Sequence, residues 1–218
     1  MPGRAAKPGK AVRSISVGAV HPTINHFVMA AIKMLDLKRT DVVGTTGNVR
    51  RVRPDEVPTL REISISTFVD TYAEHNTAEN MASYIEKAFH DDRLLGELNS
   101  ENSRYYFAEF EEDILGYLRL NFGTAQTNQS LENACEIERI YVAKNFQGLK
   151  IGRTLYEKAI KSAQNAGSEW LWLSVWDQNE KAIGFYENLG FTVFGRNDFK
   201  LGTEEQSDLL MRLPITVR

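Results

Sequence analysis

The 218-residue chain contains a single cysteine, Cys135, which excludes an intramolecular disulfide and any cysteine-based metal cluster. Its four histidines, His21, His26, His75 and His90, are scattered, and no two stand at metal-ligand spacing on a plausible helix face. No metal site is expected. No stretch approaches the roughly 20 apolar residues that a membrane-spanning helix needs, so the expected protein is soluble and cytoplasmic, with no membrane partner. A basic excess is missing too. With 26 Lys and Arg against 29 Asp and Glu the formal net charge is -3, and there is no basic stripe to release counterions from phosphate. This argues against a nucleic-acid partner and agrees, weakly, with a cationic substrate. What remains is 42% hydrophobic and 25% charged residues, the composition of a globular chain with one good-sized core.

The first 35 residues carry Arg4, Lys7, Lys10, Arg13 and Lys33 without an acid. An organelle transit peptide shares this bias with disordered leaders. We read 1–48 as a basic, flexible extension, with translation from Met29 as an alternative origin of the preceding segment, and 49–218 as the folded domain. VRRVRPDEV opens it as a strand stopped at Pro54. A helix is expected from Pro54 to Tyr72, where Val57, Leu60, Ile63, Ile65 and Phe68 recur at helical spacing, although Ile63 to Thr67 is rich in β-branched residues. A second helix should start at Asn76 or Thr77 and bury Met81, Tyr84, Ile85 and Phe89. Tyr105–Phe110 and Ile114–Phe122 read as a hairpin turning at Glu111, Glu112 and Asp113, and Thr124–Asn133 as a loop.

From there strands and helices alternate. Ile137–Val142 is a strand, Ile151–Ala166 a helix ended by Gly167, Trp170–Val175 a strand, Asn179–Leu189 a helix ended by Gly190, and Phe191–Phe194 a strand, with a last strand at Leu209–Leu213. Strands mixed with crossover helices imply an α/β domain with a mixed sheet covered by helices.

The segment EIERIYVAKNFQGLKIGRTLYEKAI sets a strand, a loop bearing Gly148 and Gly152, and an amphipathic helix in succession. Such a joint suits an anion, because the first N–H groups of a helix lack internal partners and glycines let the backbone approach phosphates closely. Purely structural turns share the pattern, and neither GxxxxGK[ST] nor GxGxxG is present. The second half, WLSVWDQNEKAIGFYENLGF, supplies a helix started by Asn179, with Ala182, Phe185, Tyr186 and Leu189 on one face. Together the halves resemble the acyl-CoA site of the GNAT N-acetyltransferase superfamily. Gln147 and Gly152 match the ends of its Q-x-x-G-x-G/A loop, and Asn179, Ala182, Tyr186, Gly190 and Phe191 match its N-x-x-A-x-x-x-Y-x-x-x-G-F helix. Lys150 stands where that loop has its central glycine, leaving a less permissive backbone but setting an ammonium where phosphate charge is expected.

The resemblance implies a mixed, mostly antiparallel twisted sheet of about six or seven strands flanked by helices. It implies acetyl-CoA as co-substrate, held by backbone groups of Ile140, Tyr141 and Val142, by the loop and helix start of Gln147, Gly148, Leu149, Lys150, Ile151, Gly152 and Arg153, and by Asn179. The Ile140 N–H would polarise the thioester carbonyl, a type of donor worth roughly 3 kcal/mol in acyl transfer. Tyr186 would be the general acid for the CoA thiolate, the alternative being a phenol that only packs. Glu136 and Glu138, on one strand face and alternating with Ile137 and Arg139, are candidates for the base, or for exposed or salt-bridged carboxylates. Cys135 is discounted as an acyl carrier because no histidine lies near it in sequence. Trp170, Trp172 and Trp176 read as core and rim aromatics.

Within the superfamily, IERIYV, TFVDTYAEHNTAENMASYIEKAF and LGTEEQSDLLM are similar to polyamine acetyltransferases of the PaiA type. That likeness implies a small cationic amine as acceptor, with Asp70 and Glu74 as an acidic lip if the first helix reaches both at i, i+4. A protein or peptide amine, or a non-catalytic acyl-CoA-binding regulator, are the other readings. The oligomeric state, a homodimer included, is not specified.

Overall fold

The computed structural model describes residues 47–216 apart from 112, 202 and 203. The expected extension therefore lies outside the described residues except for its last two. Seven strands form one sheet in the order β1-β2-β3-β4-β5-β7-β6. They are β1 (Asn48–Arg51), β2 (Ser103–Phe110), β3 (Asp113–Phe122), β4 (Ala134–Val142), β5 (Trp170–Trp176), β6 (Thr192–Leu201) and β7 (Glu204–Pro214). Only β4 and β5 run parallel, joined by the crossover helix α4 (Ile151–Asn165), and every other neighbouring pair is antiparallel.

Helices α1 (Val57–Tyr72), α2 (Ala78–Ala88) and α3 (Asp91–Asn99) pack on one face, against Tyr105, Phe107 and Tyr117. Helix α4 and α5 (Glu180–Asn188) cover the other, over Tyr106, Leu118, Leu120, Ile137, Leu171 and Leu173. The period-2 alternation of β2 and β3 divides their side chains between these cores. Pro58 stands in the first turn of α1, where a missing N–H costs nothing. The β-branched run at Ile63–Thr67 stays helical because its side chains are buried against the sheet, and tertiary burial outweighs its modest propensity penalty. Thr77 caps α2 by accepting from the Asn80 N–H at 3.2 Å.

Two elements differ from the sequence reading. Helix α3 was not expected; only Leu94 and Leu98 of its nine residues are buried, too few for a periodic signal. The last hairpin is much longer than Phe191–Phe194 and Leu209–Leu213, with pairing out to Leu201 and Glu204. Strand β6 is a sheet edge whose Arg196, Asn197 and Asp198 are exposed, so hydrophobic alternation does not mark it.

Two backbone positions constrain the centre of the sheet. A Cβ on Gly116 of β3 would lie 2.5 Å from the Tyr141 carbonyl oxygen on β4, so only glycine permits that approach. Lys150, at the N-terminus of α4, has φ 66°, the left-handed region that the family loop assigns to glycine. We predict that Gly116→Ala destabilises the fold by about 1–3 kcal/mol, because overpacking must displace β4, as read from urea unfolding. Lys150→Gly, by contrast, should raise stability by roughly 0.5–1 kcal/mol, the left-handed penalty less the entropy that glycine adds to the unfolded chain. A lowered melting temperature for that variant would contradict the backbone cost assigned to Lys150.

Candidate active site

Strand β4 pairs with β3 from Cys135 to Val142, but with β5 only from Ala134 to Ile137. Strand β5 continues to Trp176 on β7 alone. The sheet therefore opens between β4 and β5, leaving one edge of Glu138–Val142 without a strand. The Ala143 N–H donates to Leu115 O on β3 at 2.9 Å. Strand alternation then turns the backbone groups of Ile140 and Val142 toward the open edge and those of Tyr141 toward β3. Val142 O accepts from the Gln147 side chain at 3.3 Å, not from another strand.

At the end of that edge the loop turns into α4. Gly148 has φ 82° and Lys150 φ 66°, and no side chain caps the helix, so the leading N–H groups at Ile151, Gly152 and Arg153 point out of its positive end. Lys150 and Arg153 are exposed there. The first helical bond closes from the Thr154 N–H to Lys150 O at 3.1 Å. Gln147 is braced on both sides, since its Oε1 also accepts from Lys181 of α5 at 2.7 Å. Leu149 is half-buried and packs on the core beneath α4. Asn179 caps α5 with Oδ1, accepting from the Ala182 N–H at 3.2 Å, which leaves its Nδ2 donors for another partner. An uncapped helix start beside a free strand edge fits a pyrophosphate with an amide-bearing arm.

Tyr186 is buried on α5, its ring 5.6 Å from Phe191 and 5.4 Å from Phe185. Burial, reinforced by Tyr72, pushes its phenol above the usual tyrosine range and keeps it protonated at neutral pH. Tyr72, at the end of α1, is pushed up to about 12 by burial, which outweighs the opposing hydrogen bond from the Tyr141 phenol. Tyr141 stacks on Tyr117 at 5.7 Å. Tyr72 thus links α1 to β4, with Tyr186 within electrostatic reach.

The glutamates have other partners. Glu136 is fully buried and accepts from the Thr127 N–H at 2.8 Å, from the Thr127 hydroxyl, and from Asn121 Nδ2 at 3.2 Å. Burial raises its carboxyl, with the Thr127 bonds opposing. This carboxylate pins the 124–133 loop to β4 and is closed to an incoming amine. Glu138 accepts from Arg119 at 2.6 Å and from Asn121, and lies 3.6 Å from Arg139. The register steps from Arg139 to Ile137, passing over Glu138 as a β-bulge, so Arg139 does not alternate with the glutamates as expected. It points to their face and donates to the Tyr105 hydroxyl at 3.1 Å. Glu97 of α3 joins this network, 3.0 Å from Arg119 and accepting from Tyr105 at 2.6 Å. Burial raises the Glu97 carboxyl, but Arg119 and Arg139 outweigh it and hold it below the usual range.

The acidic lip takes a different form from the one expected. Asp70 is exposed near the end of α1, its carboxyl raised by partial shielding and lowered by Lys144. Glu74 falls in the 3-10 turn Ala73–His75 after α1, so the two acids do not share a continuous α-helical face. Burial pushes the Cys135 thiol far up, leaving it a protonated core residue.

Sequence reading singled out neither Tyr72 nor Asp208, which the structure brings to the part of β5 beyond its pairing with β4. Asp208 on β7 accepts from the Ser174 hydroxyl of β5 at 2.7 Å, and burial raises its carboxyl. An acid directly preceding the apolar run Leu209–Met211 is the available signal, but it does not say which strand lies alongside. Among the described residues no group of His, Cys, Asp or Glu is arranged to hold a metal ion, and no helix is long and apolar enough to cross a membrane.

Comparison with known proteins agrees with this geometry. Residues 59–191 match the Acetyltransferase (GNAT) family. An uncharacterized N-acetyltransferase of Lactobacillus delbrueckii subsp. lactis is 38% identical over 74% of this chain and 94% of its own. A spermidine N(1)-acetyltransferase of Thermoplasma acidophilum is 25% identical over 75% and 94%. Among solved structures, PaiA N-acetyltransferase from Thermoplasma acidophilum in complex with coenzyme A superposes with a TM-score of 0.65 at 24% identity, covering 78% of this chain and 99% of that one. An opened sheet with an uncapped helix start at the opening, on a chain with these relatives, makes this protein an acyl-CoA-dependent N-acetyltransferase, and it belongs to the GNAT family.

Proposed function

We propose that the protein transfers the acetyl group of acetyl-CoA to a primary amine by direct attack in a ternary complex, and that the acceptor is a polyamine or another small cationic amine. The observation that carries this reading is the free edge of β4 from Glu138 to Val142, with the α4 N-terminus a few residues beyond its end. Acetyl-CoA supplies an activated acyl group on a good thiolate leaving group. The protein supplies position and charge.

The Ile140 and Val142 backbone groups would take the pantetheine arm as an added strand, with the Ile140 N–H aimed at the carbonyl oxygen that gains charge. Helix α4, with Lys150 and Arg153, would carry the pyrophosphate. Tyr186, kept protonated by burial, would give its proton to the departing thiolate. Neither Glu136 nor Glu138 suits the base, since one is closed off and the other ion-paired, and a water reaching the open edge is the better proton acceptor. The Thermoplasma relative named for spermidine supports a polyamine acceptor.

The test is release of free thiol from acetyl-CoA against polyamines, aminoglycosides, amino acids and peptides. Turnover with polyamines well above the rest is expected. Preference for a peptide would move the acceptor to a protein amine, and CoA binding without turnover on any amine would indicate a regulator. Tyr186→Phe should lower kcat about 10²-fold, the scale of one lost proton donor, while CoA affinity measured by calorimetry stays within about twofold. An unchanged kcat would remove Tyr186 from the acid role.

A further inference from the structure

The opening between β4 and β5 has a second wall that the acetyl-transfer chemistry does not use. At the end of β5, Trp176 pairs in register with Asp208 of β7. Ser174 shares a face of β5 with Trp176, two residues away, and its hydroxyl donates to Asp208 Oδ2 at 2.7 Å. The Asp208 carboxylate therefore lies on the face of Trp176. That face meets α1, for the Trp176 ring lies 6.1 Å from Tyr72 and 5.0 Å from His75. Ser174 and Trp176 lie on β5 beyond its last pairing with β4 at Leu173, so this wall borders the same opening as the free edge of β4.

Among the described residues Asp208 has no counter-ion. Nearby Asp177 lies 3.4 Å from Arg196, but among the described residues no cation pairs with Asp208. A half-buried carboxylate held by a hydroxyl and flanked by partly exposed aromatic faces is a site for an organic ammonium, which gains a charge-assisted hydrogen bond and cation–π contact together. A compact inorganic cation would instead require several ligands, and among the described residues no group of His, Cys, Asp or Glu is arranged to hold one. We propose that Asp208, with Tyr72 and Trp176 as walls, binds the distal ammonium of the acceptor and so selects amines with a second positive charge. This rests on the amine-acetyltransferase reading above, and it names the specificity determinant within it.

The full chain is assayed with 1,4-diaminobutane and with n-butylamine, which has the same carbon chain without the second ammonium. The wild type should favour the diamine in kcat/KM by about ten- to hundredfold, the worth of one charge-assisted pair in a partly buried site. Asp208→Asn should collapse that ratio toward one, and Asp208→Glu should restore part of it. Trp176→Leu, which leaves the carboxylate in place, should lower the ratio to a smaller extent. CoA affinity and the melting temperature of each variant separate specificity from damage to the fold. A diamine preference that survives Asp208→Asn overturns the subsite while leaving acetyl transfer intact. If the wild type releases thiol with no amine at all, the underlying reading fails and the subsite with it.

Discussion

The parting of β4 from β5 after Ile137 and Leu173 is the constraint on which the site depends. A strand held on one edge and open on the other presents donors and acceptors that must be met by water or by a ligand, since unpaired backbone groups taken out of water cost as much as lost hydrogen bonds. The same parting aims α4 at the opening, because the helix starts a few residues beyond the end of β4. It also leaves Ser174 and Trp176 of β5, with Tyr72 against the Trp176 ring, beside the opening and unpaired with β4.

What keeps the sheet open is the region around Glu138. There β4 carries a bulge, and its extra residue adds twist where pairing to β5 stops. Two arginines and two glutamates lock the bulge from below: Arg119 reaches Glu138 and Glu97, and Arg139 reaches Glu138 and the Tyr105 hydroxyl. Both arginine side chains are only 7% exposed, so their charge is tolerable because carboxylates and hydroxyls answer it nearly group by group. Removing one member would leave a buried charge unpaired. The network is thus better understood as a device that fixes geometry than as a source of net stability.

The cofactor side and the acceptor side of the opening differ in how they are built. On the proposed cofactor side the groups on offer are mainly backbone, a strand edge and a helix start, and Gln147 and Asn179 brace that backbone. On the acceptor side, side chains from α1, β5 and β7 converge.

Much of this was legible in the chain itself. The strand–loop–helix joint at Glu136–Ile160 and the capped helix at Asn179 are contiguous in sequence, so local rules of capping, periodicity and glycine placement, together with family likeness, led to the family and the mixed sheet. The long edge hairpin and α3 escaped because neither buries a periodic face. The partners of Glu136, Glu138 and Asp208 were decided only by tertiary structure. A carboxylate's role depends on which donors reach it, and those donors, Thr127 and Asn121 for Glu136, Arg119 for Glu138 and Ser174 for Asp208, arrive from other strands and loops. The sequence by itself therefore determined the family and the fold, because both are carried by contiguous local patterns and family likeness. Which acids are available to an amine was left to the packing of distant segments, because no local pattern encodes where an independent strand will lie.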